Sequence, residues 1–320
     1  MLLSHEARPL RMCYSAQVWA NYRKYVREFG ATISVEEFAI LYFHDKGKTR
    51  PKTPKAMDDA FTQAETPAER EIWRNIAQWN REAASKAEAE LFTQTTRLNT
   101  AQRALQTKVT KKAQEDVRIA TNKIEAAKQK LADLRRTDPL PRDSRVFPDW
   151  YAPVMIWEDG RRVIKPMRYF CRMPGWTEAV ERRFPGTYNA RRDKLETSWK
   201  DLFGYQHGIM VADVFYENVE GPNGENQVLA FTPKTAEPML IACLWNRSPG
   251  YKGAPDLYSF AAITDEPEPE VAAAGHDRTI INIKPEHIDA WLQPEAGNLA
   301  ALYAIFDDKR HPYYEHRLAA

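Results

Sequence analysis

The segment APVMIWEDGRRVIKPMRYF (152–170) places two apolar, strand-forming runs on either side of Asp159-Gly160. An Asp-Gly pair between such runs suits a two-residue type I′ turn, where both central residues need positive φ. The stretch therefore predicts a β-hairpin. Downstream, HGIMVADVFYENV (207–219) and QVLAFTPK (227–234) flank a second turn signal at Asn223-Gly224. MLIACLW (239–245), LYSFAAIT (257–264) and RTIINI (278–283) are further short β-type runs. KPEHIDAWL (284–292), with Pro285 at its first helical position, and GNLAALYAIF (297–306) have helical spacing. DEPEPE (265–270) reads as a solvated acidic loop. The fold class that follows is α+β: a mixed, mostly antiparallel β core with flanking helices.

Upstream of the hairpin the chain changes character. A short strand is expected at 13–19, then one or two helices up to Phe43. SVEE (34–37) has the form of a capping box before EEFAILYF (36–43). HDKGKTRPKTPKA (44–56) is a linker. From Ala68 to Asp138 there is neither Gly nor Pro, and Ala, Glu, Lys, Gln and Arg dominate. Leu91, Leu98 and Leu105 repeat every seven residues, as do Val117, Ile124 and Leu131, which is the spacing of a coiled-coil seam. One helix of that length would project roughly 100 Å. A long helical hairpin turning near 106–115 is more compact and is the expected form. The domain reading is a leader or mis-assigned start at 1–12, a catalytic domain from 13–44 and 145–320, and an inserted helical coiled-coil arm over 56–137. The arm is a candidate surface for a protein partner or for self-association.

Composition narrows the function classes. Of 320 residues, 43% are hydrophobic and 11% aromatic, enough for a sizeable core. The net charge of +2 says little about partners. Three cysteines, Cys13, Cys171 and Cys243, show no CxxC or Cys/His spacing, which argues against a disulfide framework or a structural zinc site. No run reaches transmembrane length and residues 1–12 lack a signal-type apolar core. The expected setting is reducing and cytoplasmic, with no membrane contact.

Local charge is more telling. Residues 161–200 carry eleven Lys or Arg and four acids, interleaved with Tyr169, Phe170, Trp176, Phe184, Tyr188 and Trp199. Cations meet phosphates and aromatic faces stack bases, so this suits single-stranded or distorted nucleic acid; a solvated basic face over core aromatics has the same composition. The candidate chemical groups are Cys13, Cys171, Cys243, Glu217 and His276, supported by Asn189. Glu217 closes an apolar run, where a partly desolvated carboxylate suits general-acid work, but a surface strand end reads the same way. Cys171 and Cys243 lie inside apolar runs and read as core residues.

In order along the chain stand Met12-Cys13, WYAP (150–153), MRYFCRMPGW (167–176), NARRD (189–193), ADVFYE (212–217), HDRTI (276–280) and AWL (290–292). This series resembles the SRAP family, the SOS response-associated peptidases, over about 13–44 and 145–293. Asp193 stands for the family's usual Glu, Val214 for a Gly, and Tyr14-Ser15 for the common Gly-Arg. HDRTI lacks a Met-Pro after the arginine, and RYFC replaces Arg-Trp-Gly-Leu. The resemblance implies an SRAP-type core and a DNA-damage protein that crosslinks covalently to abasic sites in single-stranded DNA through an N-terminal cysteine. It further implies autopeptidase activity that exposes the cysteine and a lyase side activity, with no metal or organic cofactor. Its site residues here are Cys13, Asn189, Glu217 and His276, with Arg191, Arg168 and Trp176 on DNA. Such an N-terminal cysteine requires that residues 1–12 be absent, with Met12 the favoured start. Two other readings remain open: a thiol peptidase acting on other proteins, and an interaction protein working through its arm.

Overall fold

The computed structural model describes residues 15–43, 49–251 and 253–319. The chain divides into two compact units, Met1–Glu69 with Pro141–Ala320, and Arg70–Leu140.

The first unit opens with β1 (Ser15–Val18), α1 (Tyr22–Phe29), β2 (Thr32–Ile33), α2 (Val35–Phe43) and α3 (Lys55–Asp59). The rings of Tyr22, Phe38, Tyr42 and Phe61 pack with centroids 5.3 to 5.7 Å apart. Beside them Asp58 accepts from Tyr42 Oη (2.6 Å) and Thr53 Oγ1 (2.8 Å) and pairs with Arg50 at 2.5 Å. These contacts hold the chain through α3 against the first unit.

The second unit contains most of α4 (Pro67–Thr107) and all of α5 (Lys111–Arg135). The turn falls at 108–110, and Thr110 caps α5 by accepting from the Ala113 amide. Ion pairs Arg97–Asp116 (2.5 Å) and Lys123–Glu90 (3.1 Å) give an antiparallel register. The seam alternates large and small residues. On α5, Ile124 and Leu131 are buried together with Ala113, Ala120 and Ala127. On α4, Gln94 and Ala101 are buried, while Leu91, Leu98 and Leu105 are half-buried. Along α5 the buried alanines thus alternate with the buried Ile124 and Leu131.

The chain then returns through β3 (Arg145–Val146) to the hairpin of β4 (Tyr151–Glu158) and β5 (Arg161–Tyr169). Asp159 (φ 51°) and Gly160 (φ 76°) both take left-handed backbone, as the type I′ turn requires. There follow α6 (Glu178–Glu181), β6 (Asn189–Arg191), β7 (His207–Glu220), β8 (Asn226–Pro233), β9 (Met239–Ser248), β10 (Leu257–Asp265), α7 (Pro269–Ala273), β11 (Thr279–Ile280), α8 (Ile288–Leu292), α9 (Leu299–Asp307) and β12 (Tyr314–Leu318).

Strand pairing closes on itself. β5 pairs β4, β4 pairs β7, β7 pairs β9 and β9 pairs β10, all antiparallel, and β10 returns to β5 in parallel. This five-stranded circuit removes exposed edges from the core. β9 and β10 are covered on both faces: Met239–Leu244 and Tyr258–Thr264 are all buried, which explains why they read as unbroken apolar runs rather than alternating ones. β7 is longer than the barrel needs. Its first half lies between β4 and β9, and its second half between β1 and β8.

Helix α8 is locked to the start of β7 by His207. The ring stacks on Trp291 with centroids 3.9 Å apart. Nε2 accepts from the Gly204 amide (2.9 Å), so the ring hydrogen sits on Nδ1, which donates to the Trp291 carbonyl at 2.9 Å. A second proton on Nε2 would face an N–H donor. Burial accordingly pushes His207 down to about 3, against a partial rise from the Trp291 carbonyl. Because the unfolded state holds that proton from its ordinary value near 6.5 downward, stability is full above about pH 6.5 and declines as pH falls towards 3, by up to about 1.4 kcal/mol per unit. Urea melts between pH 7 and 4 should show this slope. His207→Gln should be less stable at pH 7 yet lose that part of the slope, whereas an unchanged slope would remove His207 as its source.

Candidate functional site

β10 acts as the organiser of one end of the barrel. Asn189, Ala190 and Arg191 of β6 run parallel to Ala262–Thr264, and Thr279–Ile280 of β11 run antiparallel to Thr264–Asp265. The NARRD and HDRTI segments, over eighty residues apart in sequence, thus flank the same few residues of one strand. His276 is delivered just before β11 by α7 and the left-handed Gly275 (φ 92°), with its amide bonded to the Val271 carbonyl at 3.2 Å.

Glu217 arrives from the second half of β7. Its neighbour Tyr216 pairs with Ser15 of β1, and Glu217 itself pairs with Leu229 of β8. Phe215, on the same strand face, is fixed between Phe231 (centroids 5.0 Å) and Tyr314 (5.1 Å). Both the Glu217 and His276 side chains are fully buried, and Oε2 lies 3.1 Å from Nε2.

The other nitrogen sets the proton inventory. His276 Nδ1 lies 2.9 Å from the Arg278 carbonyl, which can only accept, so Nδ1 carries a hydrogen. Nε2 and the Glu217 carboxylate then face one another with room for one proton between them. With the proton on nitrogen the pair is imidazolium and carboxylate; with it on oxygen both groups are neutral. Either way the pair carries no net charge, and a proton can cross it without opening the site to solvent. That is the arrangement a general acid–base relay needs.

Asn189 is buried, and Tyr169 Oη donates to its Oδ1 at 3.2 Å. The Tyr169 ring is in turn stacked on Phe260 (centroids 5.2 Å). The amide is thus oriented with its N–H groups as donors. Sequence reasoning did not single out Tyr169 for this role; only the phenol's reach across from β5 reveals it.

One cleft borders this end, and a second lies where β10 begins, at Leu257 and Tyr258. The first, of about 400 Å³, is lined by Arg191, Arg192, Asp193, Thr264, Arg278 and Tyr303 among others. Arg191 is half-exposed and pairs with Asp193 at 2.8 Å, and that guanidinium holds the Asp193 carboxyl below its usual range. The second cleft, of about 1010 Å³, includes Arg168, Arg172, Trp176, Tyr251 and Tyr258 in its lining. Trp176 is half-buried and packs on Phe184 with centroids 4.8 Å apart. Arg168 is engaged inside the protein: it and Arg172 enclose the buried Glu181 carboxylate, with Asp149 3.7 Å from Arg168. Among the expected DNA contacts, Arg191 is therefore the one that presents its charge most openly.

Cys13 lies outside the described residues. The other two thiols are fully buried, and desolvation pushes Cys171 up to about 12 and Cys243 higher still. A thiol near 12 is ionised to only about one part in 10⁴ at pH 8. Among the described residues no group of three or more His, Cys, Asp or Glu has metal-site geometry, and no helix is long and apolar enough to cross a membrane.

The family model for the SOS response-associated peptidase (SRAP) matches residues 100–317. No curated protein matches the chain in sequence. Similar solved structures include a protein of Bordetella bronchiseptica at 19% identity, covering 55% of this chain and 87% of that one, TM-score 0.45. A protein of Bacteroides thetaiotaomicron is 13% identical over 55% and 78%, TM-score 0.46. A phage-related protein of Bordetella bronchiseptica is 19% identical over 57% and 84%, TM-score 0.43.

The burial of two cysteines yields a direct test. In native protein at pH 8, Cys171 and Cys243 should resist a soluble thiol reagent and react only in denaturant. Peptide mapping of the labelled sites checks this, and fast native labelling of either would contradict the burial described.

Proposed function

The chain belongs to the SOS response-associated peptidase family, and we propose that it forms a covalent link to abasic sites in single-stranded DNA through the amine and thiol of Cys13. The observation that carries the proposal is the Glu217–His276 pair, fully buried with Oε2 3.1 Å from Nε2. It sits next to the strand pairing that joins β7 to Ser15, two residues after Cys13.

An abasic deoxyribose in its open form presents an aldehyde at C1′. The Cys13 nitrogen, as a free amine, adds to that carbon; water leaves and an imine forms. The thiol sulfur then adds to the imine carbon while its proton passes to nitrogen, closing a five-membered thiazolidine. The balance is aldehyde plus aminothiol giving ring plus one water. The amine has an ordinary pKa near 8, so a useful fraction is unprotonated at neutral pH. Glu217 and His276 carry the proton that must reach the departing hydroxyl and the one released by the thiol. Asn189, oriented by Tyr169, holds the cysteine or the opened sugar by donating hydrogen bonds. Arg191 meets phosphate, with Arg168 and Trp176 as further DNA contacts. An imine at C1′ also acidifies C2′, which accounts for a lyase side reaction. The chemistry requires cleavage or absence of the Met12–Cys13 peptide bond, because an amide nitrogen cannot form the imine.

Incubation with single-stranded DNA bearing one abasic site, followed by denaturing electrophoresis, tests this reading. Protein beginning at Cys13 should give a shifted band. Cys13→Ala, or protein retaining any residue before Cys13, should give none. Glu217→Gln and His276→Ala should each slow adduct formation by about 10²- to 10⁴-fold with little change in binding to undamaged strands. A shifted band from Cys13→Ala would overturn the proposal.

A further inference from the structure

We propose that the tip of the helical hairpin is a separate DNA-binding element that grips backbone phosphates without reading sequence. The charge distribution along the second unit carries the inference. Over 70–90 and 115–140 there are ten Lys or Arg and nine Asp or Glu, so the stems are balanced. Over 91–114, which contains the tip, there are five Lys or Arg and no acid. Arg97 is neutralised by Asp116 at 2.5 Å. The other four, Arg103, Lys108, Lys111 and Lys112, are all exposed and form no ion pair among the described residues.

Helix stability does not account for this placement. Lys111 and Lys112 occupy the first turn of α5, which has no acidic residue. Cations there oppose the helix dipole, and exchanging them for acids would stabilise the helix by a few tenths of a kcal/mol each. Instead two of the four cations, Lys111 and Lys112, stand at the positive end of a 25-residue helix. The tip stands about 37 Å from the far end of α5, several times the Debye length at physiological salt. These charges therefore cannot act on the base of the hairpin or by long-range steering there; they act on what touches the tip.

The chemistry of the tip selects among polyanions. Gln106, Thr107 and Gln114 are exposed beside the cations and add hydrogen-bond donors suited to phosphate oxygens. A membrane surface would call for an apolar anchor, and Val109 is the single exposed large hydrophobic residue in the turn, Phe92 lying four helical turns back along α4. The choice of DNA over other phosphate polymers rests on the function proposed above. Single-stranded and duplex DNA share the phosphate chemistry, and the test separates them.

The test compares wild-type protein with R103Q/K108Q/K111Q/K112Q by fluorescence anisotropy on lesion-free labelled 30-mers, single-stranded and duplex, from 50 to 300 mM salt. If all four cations meet phosphates, the slope of log K against log salt should shrink by about 3 on the DNA form that the tip engages, with at least about tenfold weaker binding at 50 mM. The form showing the larger change identifies the strand state. Equal slopes and affinities on both forms would overturn the proposal. So would loss of binding to anionic phospholipid vesicles with DNA binding unchanged. Matching thermal melts establish that the variant is folded. A short abasic oligonucleotide at saturating concentration keeps the two proposals apart. Equal adduct yields with unchanged slopes remove the tip alone; no adduct from either protein with changed slopes removes the crosslinking function and leaves the tip.

Discussion

The length of β7 governs how this molecule is built. A strand of fourteen residues cannot pair with the same two neighbours throughout a small twisted barrel, because the neighbours curve away. Here its first half closes the barrel between β4 and β9, and its second half runs on between β1 and β8. β1 is thereby stitched to the residues that surround Glu217, while the other end of the strand is pinned to α8 by His207 and Trp291. A carboxylate on that second half is buried by strands on both sides instead of being left at a sheet edge. His276 reaches it because β10 holds β11 and β6 at the same end of the barrel.

Burial of an acid next to an imidazole is costly unless the two share charge or a proton. The Arg278 carbonyl resolves this by fixing a hydrogen on Nδ1, leaving Nε2 for Glu217. The contact that makes the pair tolerable in the interior is also the one that the proposed chemistry uses, so stability and the proposed proton transfer draw on one geometry. Nearby charges are treated differently. Arg168 and Arg172 are spent on Glu181 within the fold, and Arg191 stays at the surface of a cleft. The basic character of 161–200 is thus partly structural and partly available to a ligand, a division that composition does not reveal.

Much of the architecture was legible where local rules are strict. Asp159-Gly160 announced its turn because few residue pairs accept two positive φ values. The Gly- and Pro-free stretch announced a helical hairpin, and the turn came at 108–110, inside the expected window. β9 and β10 were legible as unbroken apolar runs. What was not legible depends on distant partners. β6 is three residues long and exists because β10 offers an edge to it. β12, with the sequence YEHRL, has four exposed residues and little strand character of its own, and its pairing with β8 supplies the order. Of the two heptad series, Ile124 and Leu131 are buried whereas Leu91, Leu98, Leu105 and Val117 are half-buried, since spacing shows periodicity but not depth. In the site, Glu217 and His276 could each be marked as candidates, but a 3.1 Å contact between residues 59 positions apart follows only from the sheet topology. Tyr169 could be read only as one aromatic of the basic segment, because its bond to Asn189 comes from another strand.

The central claim is that one residue's backbone nitrogen and side-chain sulfur both end on one sugar carbon, with a buried proton couple serving the exchange. The most direct measurement is the mass of the peptide that remains attached to DNA after reaction with an abasic strand, nuclease trimming and proteolysis. The account predicts a peptide whose first residue is Cys13, heavier than the free peptide by the sugar fragment less one water, with no thiol left to alkylate. An adduct on a lysine, an adduct on a peptide beginning upstream of Cys13, or a crosslinked Cys13 whose thiol still alkylates would contradict it.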